Sequence, residues 1–408
     1  MVQIDGDRLL QSLADLRSFG AVGNGVVRPT FSDIDMAARR WLRDQMADAG
    51  LDATIDGVGA VHGRSRNPGP ALLIGSHSDT QPEGGWLDGA MGVMYAIEVA
   101  RALGEDPATS DLAVDTVAWS DEEGTYTSCL GSRSFVREFP DEDLGHRNAA
   151  GESVGEALQR VGLADVDRIH LDLDRHAGYL EAHIEQGPFL EAESRRIGVV
   201  SSIVGIRAMQ IEFSGQQNHA GTTPMAMRKD AGVAMFEFAV RVRERLQALA
   251  GPTTVWTIGN SQLLPGGESI IPGRAWCGLQ FRDPSEEVMD AFQAAVGALA
   301  EEMTDEGPVE VTAELRRAPM APVAMDDSLT QHLCEAAEAT VPGEWVEMPS
   351  AAIHDATVLA PHVPCGMLFI PSIGGISHDF AEDSTDVDIV TGCQVLATAV
   401  EAALSVHR

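Results

Sequence analysis

Lysine is almost missing from this chain, with one residue, Lys229, among 408. Arginine therefore carries nearly all the positive charge. The 28 basic residues face 62 acidic ones, for a net charge of −34. A field of that sign repels phosphate backbones and anionic lipid surfaces, so neither nucleic acid nor membrane is expected as a partner. Cysteine is sparse too. Cys129, Cys277, Cys334, Cys365 and Cys393 are odd in number, dispersed and free of C-x-x-C spacing, the pattern of free thiols in a reducing compartment. No apolar run reads as long enough to span a bilayer, and MVQIDGDRLL lacks the basic and apolar regions of a secretory leader. These absences predict a cytoplasmic protein. What is present is ordinary for a globular chain, 44% hydrophobic and 22% charged, and the length suits two domains.

The stretch that organises the chain is GSHSDTQPEGGWLD, residues 75–88. It follows a short apolar run at 71–74 with the length of a buried strand, and an apolar helical pattern takes over after Gly89. His77, Asp79 and Asp88 thus fall at a strand-to-helix junction, where open α/β sheets bind ligands. The three residue types suit a metal site, with the Asp79 carboxylate placed to receive the second ring N–H of His77. A turn cap at His77 and a helix cap at Asp88 explain these residues equally well on this stretch alone.

Upstream, helices are predicted over 5–19 and from Ser32 to Gly50, the second opened by a Ser32/Asp35 capping pair. Short strands follow at 52–56 and 59–64. Another strand, 112–120, runs into Asp121-Glu122-Glu123-Gly124, and after an irregular acidic stretch the chain reaches His183-Ile-Glu-Gln-Gly187. From about Arg207 the order becomes strand, helix, strand, strand, helix, strand, the split-βαβ ferredoxin-like unit. A helix at 328–339, a strand at 365–370, GGISHD at 374–379 and a helix from Asp388 complete the reading. The fold class is therefore α/β: a mixed-sheet catalytic domain (1–207 with 323–408) carrying an inserted βαββαβ domain (208–322).

Ligand-type side chains now sit at four separated places: His77 with Asp88, Glu122 with Glu123, His183 with Glu185, and His378. Mixed imidazole and carboxylate donors suit zinc, manganese, cobalt or nickel better than calcium or magnesium. One shared carboxylate would hold two ions roughly 3.5–4 Å apart. Neighbours on extended chain point opposite ways, so Glu122 and Glu123 need separate roles, one as ligand and one as general base. Two solvated turn acids are the plainer alternative.

In this order, GSHSDT…GGWLDGAMGV, DEEG, HIEQGP, NHAGTTPM and GGISHD resemble the hydantoinase/carbamoylase branch of the di-zinc aminoacylase and carboxypeptidase superfamily. That branch includes N-carbamoyl-L-amino-acid hydrolases, β-ureidopropionases and allantoate amidohydrolases. The resemblance covers essentially the whole chain. It implies two divalent ions, zinc first among them, held by His77, Asp88 (bridging), Glu123, His183 and His378, with Glu122 as general base. It further implies His219 as an oxyanion donor, Arg282 as the grip on a substrate carboxylate, and Asn218 and Gln186 as polar contacts. Arg207 and His354 fall in similar contexts, as substrate contacts lining the site or in structural roles, the second at least as favoured. Residues 208–322 become a lid and homodimerisation domain. One departure stands out: where the family carries two asparagines before this arginine, the chain has Gly266 and Ser269, which bears on the identity of the substrate. The implied activity is hydrolysis of N-carbamoyl amino acids or related ureido acids. An N-acyl-amino-acid or dipeptide hydrolase is the alternative, and a non-catalytic metal- or ligand-binding protein the remote one.

Overall fold

In the computed structural model, which describes residues 2–405, the chain forms two compact units. One holds the residues up to Ser201 and from Ala324 onward; the other is Ser202–Val323.

The larger unit is built on a nine-stranded mixed sheet. Its middle is parallel: Cys365–Ile370 pairs with His176–Ile184, that strand with Ala71–His77, and the last with Val114–Trp119. Antiparallel strands flank this group on both sides, among them Ile197–Ile203 and Val61–Arg64. Every residue of Ala71–His77, Val114–Trp119 and Cys365–Ile370 is buried. That is why residues 71–74 and Cys365–Ile370 read as apolar runs rather than as alternating ones, while the buried Asp115 within Val114–Trp119 is paired with Arg175 at 2.7 Å. Helices Ala90–Glu105, Asp327–Thr340 and Asp386–Ser405 supply the rest of the main core.

Two boundaries differ from the sequence reading in a way that matters for the site. The strand expected over 71–74 continues to His77, and an unassigned stretch forms the strand His176–Ile184. Both histidines are therefore held by sheet. Strand pairing between these two segments stops at Ile74↔Leu180. Three residues further along the same register, His77 faces His183 with ring centroids 5.8 Å apart. The helix Ala90–Glu105 approaches this divergence so closely that a Cβ on Gly92 would lie 2.2 Å from the carbonyl oxygen of Ala182.

The helix Asp33–Asp48 has Ser32 as its N-cap, accepting the Asp35 N–H at 3.1 Å. The expected reciprocal half is absent. Asp35 turns its carboxylate to the Phe31 N–H and to Arg39 instead, because burial makes an arginine partner worth more than a cap.

The smaller unit is a four-stranded antiparallel sheet in the order Val255–Leu264, Arg274–Asp283, Gly205–Ser214, Glu310–Leu315. Helices Ala231–Leu249 and Glu286–Glu306 complete the βαββαβ order, and Phe213, Phe238, Phe281 and Phe292 fill the core between helices and sheet. Arg207 is buried there, tied to Glu286, Asp290 and Gln293, which is a structural position. The short strands Asn218–His219 and Ile270–Ile271 pair separately.

One expectation from composition needs correcting. The helix Asp386–Ser405 is long and apolar enough to cross a membrane, with a mean hydropathy of 1.5. Its apolar side nevertheless lies in the core, where Ile389, Cys393, Val395, Leu396 and Val400 are fully buried. A core helix apolar on most sides passes the same length test as a membrane span. Leu396→Ala is expected to cost about 2–5 kcal/mol of unfolding free energy, as for other deeply buried leucines, measured by urea titration. A loss under about 0.5 kcal/mol would show that this face is not packed as described.

Candidate metal centre

The parallel strands end side by side at one edge of the sheet, where open α/β folds place their ligands. His77 closes one strand and His183 lies one residue from the end of the next. Glu122 and Glu123 follow Val114–Trp119, and His378 lies in the loop after Cys365–Ile370. Asp88 precedes the helix Ala90–Glu105. The structure brings these residues together. His77, Asp88 and His183 form one group able to share a cation, and Asp88, Glu123 and His378 form a second. Asp88 belongs to both. Its Oδ1 stands 3.5 Å from His77 Nε2 and 3.0 Å from His183 Nε2, and its Oδ2 is 3.3 Å from His378 Nε2.

The donors fit a cation in their protonation chemistry as well as in position. His77 Nδ1 hydrogen-bonds to the Asp79 carbonyl at 3.1 Å, and His183 Nδ1 to the Ile184 carbonyl at 2.9 Å. A carbonyl only accepts, so both Nδ1 atoms carry the proton and both Nε2 lone pairs turn toward Asp88. At His183 the Gly89 N–H also points at Nε2, from 3.2 Å. Lone pairs facing a carboxylate repel unless a positive charge lies between them. Metal ligation resolves that conflict, and so does a proton.

Surrounding residues fix the ligands. The Asp79 carboxylate was expected to bind the His77 ring. Its backbone oxygen does so instead, while the nearest Asp79 carboxylate oxygen stands 3.8 Å away. That carboxylate accepts the Glu123 N–H at 3.3 Å, and Gln81 donates to Glu123 Oε2 at 2.7 Å. Gln186, whose backbone is left-handed at φ 58°, donates to Asp88 Oδ2 at 3.2 Å and Ser377 Oγ at 3.1 Å. Gly89 is also left-handed, and a Cβ there would come within 2.4 Å of the His77 ring.

Glu122 belongs to neither ligand group. Its Oε2 lies 3.8 Å from His77 Nε2. Burial pushes its carboxyl well above the usual range, against the opposing pull of His77. Burial and the nearby Asp88 charge move Glu123 up to about 7. Asp88 goes the other way: burial opposes its ionisation, yet three imidazoles outweigh that and hold it well below the ordinary value.

Other expected residues lie elsewhere. His354 was expected among the substrate contacts, but it is 2% exposed. Its ring packs edge-on against His183 at 4.6 Å and bonds to Ser350 Oγ, so it braces a ligand-type ring from behind. Glu185 caps the short helix Phe189–Ala192, accepting the N–H groups of Phe189 and Leu190. Asn218, His219, Ser269 and Arg282 belong to the smaller unit. There the first three are neighbours: His219 pairs with Ile270, and Ala220 donates to the Ser269 carbonyl. Arg282 lies near the far end of the strand Arg274–Asp283, opposite Ile206.

Several buried groups escaped the sequence reading. Glu382 accepts the Leu87 and Asp88 N–H groups. Glu181 bonds Ser76 Oγ and the Ala356 N–H, and Cys129 Sγ lies 3.8 Å from Glu122 Oε1. No spacing or motif marks them. An acid two residues before His183 and another four after His378 were the only hints.

An α/β unit with two overlapping cation-type ligand groups at its parallel strand ends, joined to a split-βαβ unit, defines a class: mixed-sheet α/β proteins with a candidate two-ion ligand set. Within that class the chain belongs to peptidase family M20/M25/M40, whose model matches residues 73–402, and it is therefore a hydrolase of C–N bonds. It is 35% identical over 404 residues to the N-carbamoyl-L-amino acid amidohydrolase of Geobacillus stearothermophilus, covering 96% of this chain and 97% of that one. To the allantoate amidohydrolase of Escherichia coli it is 32% identical, covering 95% of each. A crystal structure of a hydantoinase/carbamoylase family amidase from Burkholderia phymatum matches the whole of both chains at 51% identity, with a TM-score of 0.95.

Loading such a site must displace protons. The Asp88 hydrogen bond raises His378 to about 9. His77 is raised as well, because Asp88, Glu122 and Asp79 outweigh its burial. Both raised pKa values stabilise the cation-free fold below the unfolded value near 6.5, and the His378 contribution fades as pH climbs through about 9. At pH 7 zinc binding is expected to release about one proton or more per chain, read by calorimetry in buffers of differing ionisation enthalpy. Binding with no buffer dependence would contradict these assignments.

Proposed function

We propose that the chain is an amidohydrolase of N-carbamoyl amino acids or closely related ureido acids, with the two ligand groups holding a pair of divalent ions. His77, Asp88 and His183 would hold one, and Asp88, Glu123 and His378 the other. Such ions supply Lewis acidity toward a carbonyl oxygen and make water easier to deprotonate. The chain's own part falls to Glu122. It takes a proton from the attacking water as the new C–O bond forms at the ureido carbon. It then returns that proton to the departing nitrogen as the C–N bond breaks. Departure of ammonia leaves the amino acid as its carbamic acid, which loses carbon dioxide with cleavage of the second C–N bond, so the balance is one ureido acid and one water giving ammonia, carbon dioxide and an amino acid. The observation that carries this reading is the placement of Glu122. It is a buried carboxyl beside the ligand cluster but outside both ligand groups, and burial raises its pKa.

His219 suits the oxyanion role by its tautomer. The N–H groups of Gly221 and Thr222 both point at its Nδ1, from 3.0 and 3.2 Å, so the proton sits on Nε2 of an exposed ring, ready to donate. Arg282 offers a fork for a carboxylate. Eight residue steps of strand separate Arg282 from Arg274, at the end nearer His219, which is about 26 Å of extended chain. No small acid spans that distance, so for both to serve one substrate two chains must contribute. A homodimer supplies them. Val233, Phe236 and Val240 form an exposed apolar stripe along the helix Ala231–Leu249, beside a largely exposed edge strand, Val255–Leu264; both features suit a second copy.

Two expected outcomes test this reading. Glu122→Gln should retain both ions and lose at least about 100-fold in kcat on a panel of ureido acids assayed by ammonia release. Full turnover would remove Glu122 as the base. Amine release from N-acetyl amino acids or dipeptides in place of ammonia would move the substrate to the N-acyl class, leaving the same residues at work. Phe236→Glu should convert a dimer to monomer in light scattering, and a wild-type protein already monomeric would rule out the composite site.

A further inference from the structure

We infer that Glu382 is the positioning residue that keeps the two ligand groups in register, holding Asp88 and the His378 loop together without touching ion or substrate. The inference rests on the two-ion reading above and concerns a side chain outside it.

Glu382 is an odd residue to bury. It is 0% exposed, and among the described residues no basic side chain pairs with it. A buried carboxylate is costly unless hydrogen bonds compensate it. Here there are three, and all lead to the centre. Oε1 accepts the N–H of Asp88 at 3.0 Å and that of Leu87 at 3.3 Å, while Oε2 accepts Ser377 Oγ at 2.8 Å. One carboxylate therefore spans the backbone of the shared ligand and the residue just before His378.

The link closes into a circuit. Ser377 Oγ receives Gln186 Nε2, and the same nitrogen reaches Asp88 Oδ2. From Glu382 the path thus runs through Ser377 and Gln186 to the Asp88 side chain, then back through the Asp88 N–H. The glycine at 85 makes room for it, since a Cβ there would lie 1.8 Å from Glu382 Oε1. A second tie joins the same two loops, Trp86 Nε1 to Asp383 Oδ1 at 3.2 Å.

The two ligand groups depend on this circuit unequally. His77 and His183 are built into adjacent strands, and their hold on Asp88 needs no help from the His378 loop. His378 has no such anchor. It sits in a loop with a left-handed backbone at φ 55°, and its side chain is half exposed. Removing Glu382 should therefore release the second group, Asp88–Glu123–His378, while sparing the first.

The test is metal content and affinity of the full-length protein, with zinc as probe. After dialysis the wild type should hold two zinc ions per chain, one for each ligand group, and Glu382→Ala only one. In calorimetric titration the weaker site should lose about 10–100-fold in affinity, the usual cost of removing such a support, with the tighter site within about threefold. Glu382→Gln keeps an oxygen for both N–H groups and an amide for Ser377, and should recover most of the loss. Ser377→Ala and Gly85→Ala disturb the same circuit from its two ends and should weaken the same site. They decide the matter if Glu382→Ala shows no cooperative thermal transition in EDTA. Two ions bound by Glu382→Ala, or by both flanking variants, with wild-type affinities would overturn the inference. A wild type that binds fewer than two ions would instead overturn the two-ion reading on which it rests.

Discussion

Everything at the sheet edge is arranged around one carboxylate facing three imidazole nitrogens. Asp88 alone belongs to both ligand groups, and the three rings it faces come from separate parts of the fold: two adjacent parallel strands and a loop beyond a third. So many like-facing acceptors, mostly buried, form an electrostatic hole that only positive charge can fill. Without a metal, protons fill it, which is why His77 and His378 are raised while Asp88 is lowered. Protein chemistry and metal chemistry are thus two solutions to the same local imbalance.

Holding that imbalance takes unusual backbone. Asp121, Cys129, Gln186 and His378 are non-glycine residues with left-handed φ. Each sits within, or beside, the segments that supply Glu122, Glu123, His183 and His378. Such conformations cost of order 1–3 kcal/mol apiece and persist only when their surroundings over-determine them. At Asp121 the surroundings are visible: its carboxylate takes the N–H groups of Tyr126 and Thr127, pinning the turn that presents Glu122 and Glu123 in different directions. Those adjacent acids end in different places because a bend that follows the strand, not extended chain, carries them.

How far the sequence could be read follows from these physical origins. Buried parallel strands announce themselves as apolar runs, and residues that terminate them stand out as polar interruptions, so His77, Asp88 and the Glu pair were legible. The order of elements in the smaller unit was legible for the same reason, because periods of 2 and 3.6 alternate cleanly there. Strand ends were less so: nothing in Gly75-Ser76-His77 marks extended structure, and sheet pairing carries it that far. Second-layer groups were invisible. Glu382 and Glu181 look like surface acids in sequence, and only the fold shows that no solvent reaches them. His354 could not be decided from sequence, where lining the site and a structural role read alike; its ring packs behind His183. Asp79 was read to the right ring through the wrong atom, because carbonyl and side-chain acceptors two residues from a histidine cannot be told apart without coordinates.

Beside the centre lies a buried charged network. Arg39, 0% exposed, binds Asp35 at 2.8 Å and the carbonyls of Gly59 and Trp119. Its second terminal nitrogen stands 4.0 Å from Asp79. On general grounds, burying such charges adds little stability over a hydrophobic core of equal volume. What a hydrocarbon cannot do is receive or give a hydrogen bond in a fixed direction. Arg39 fixes the carbonyl of Trp119, the last residue of the strand leading to Glu122. Asp79, in turn, fixes the Glu123 N–H through its carboxylate and the His77 ring through its backbone. Arg39 Nη2 and Asp79 Oδ1 face each other across 4.0 Å as an ion pair rather than as a direct hydrogen bond. A buried network whose directed bonds end on the strand before Glu122, on the Glu123 N–H and on the His77 ring is better explained by the geometry it imposes on the centre than by any stability it lends the fold.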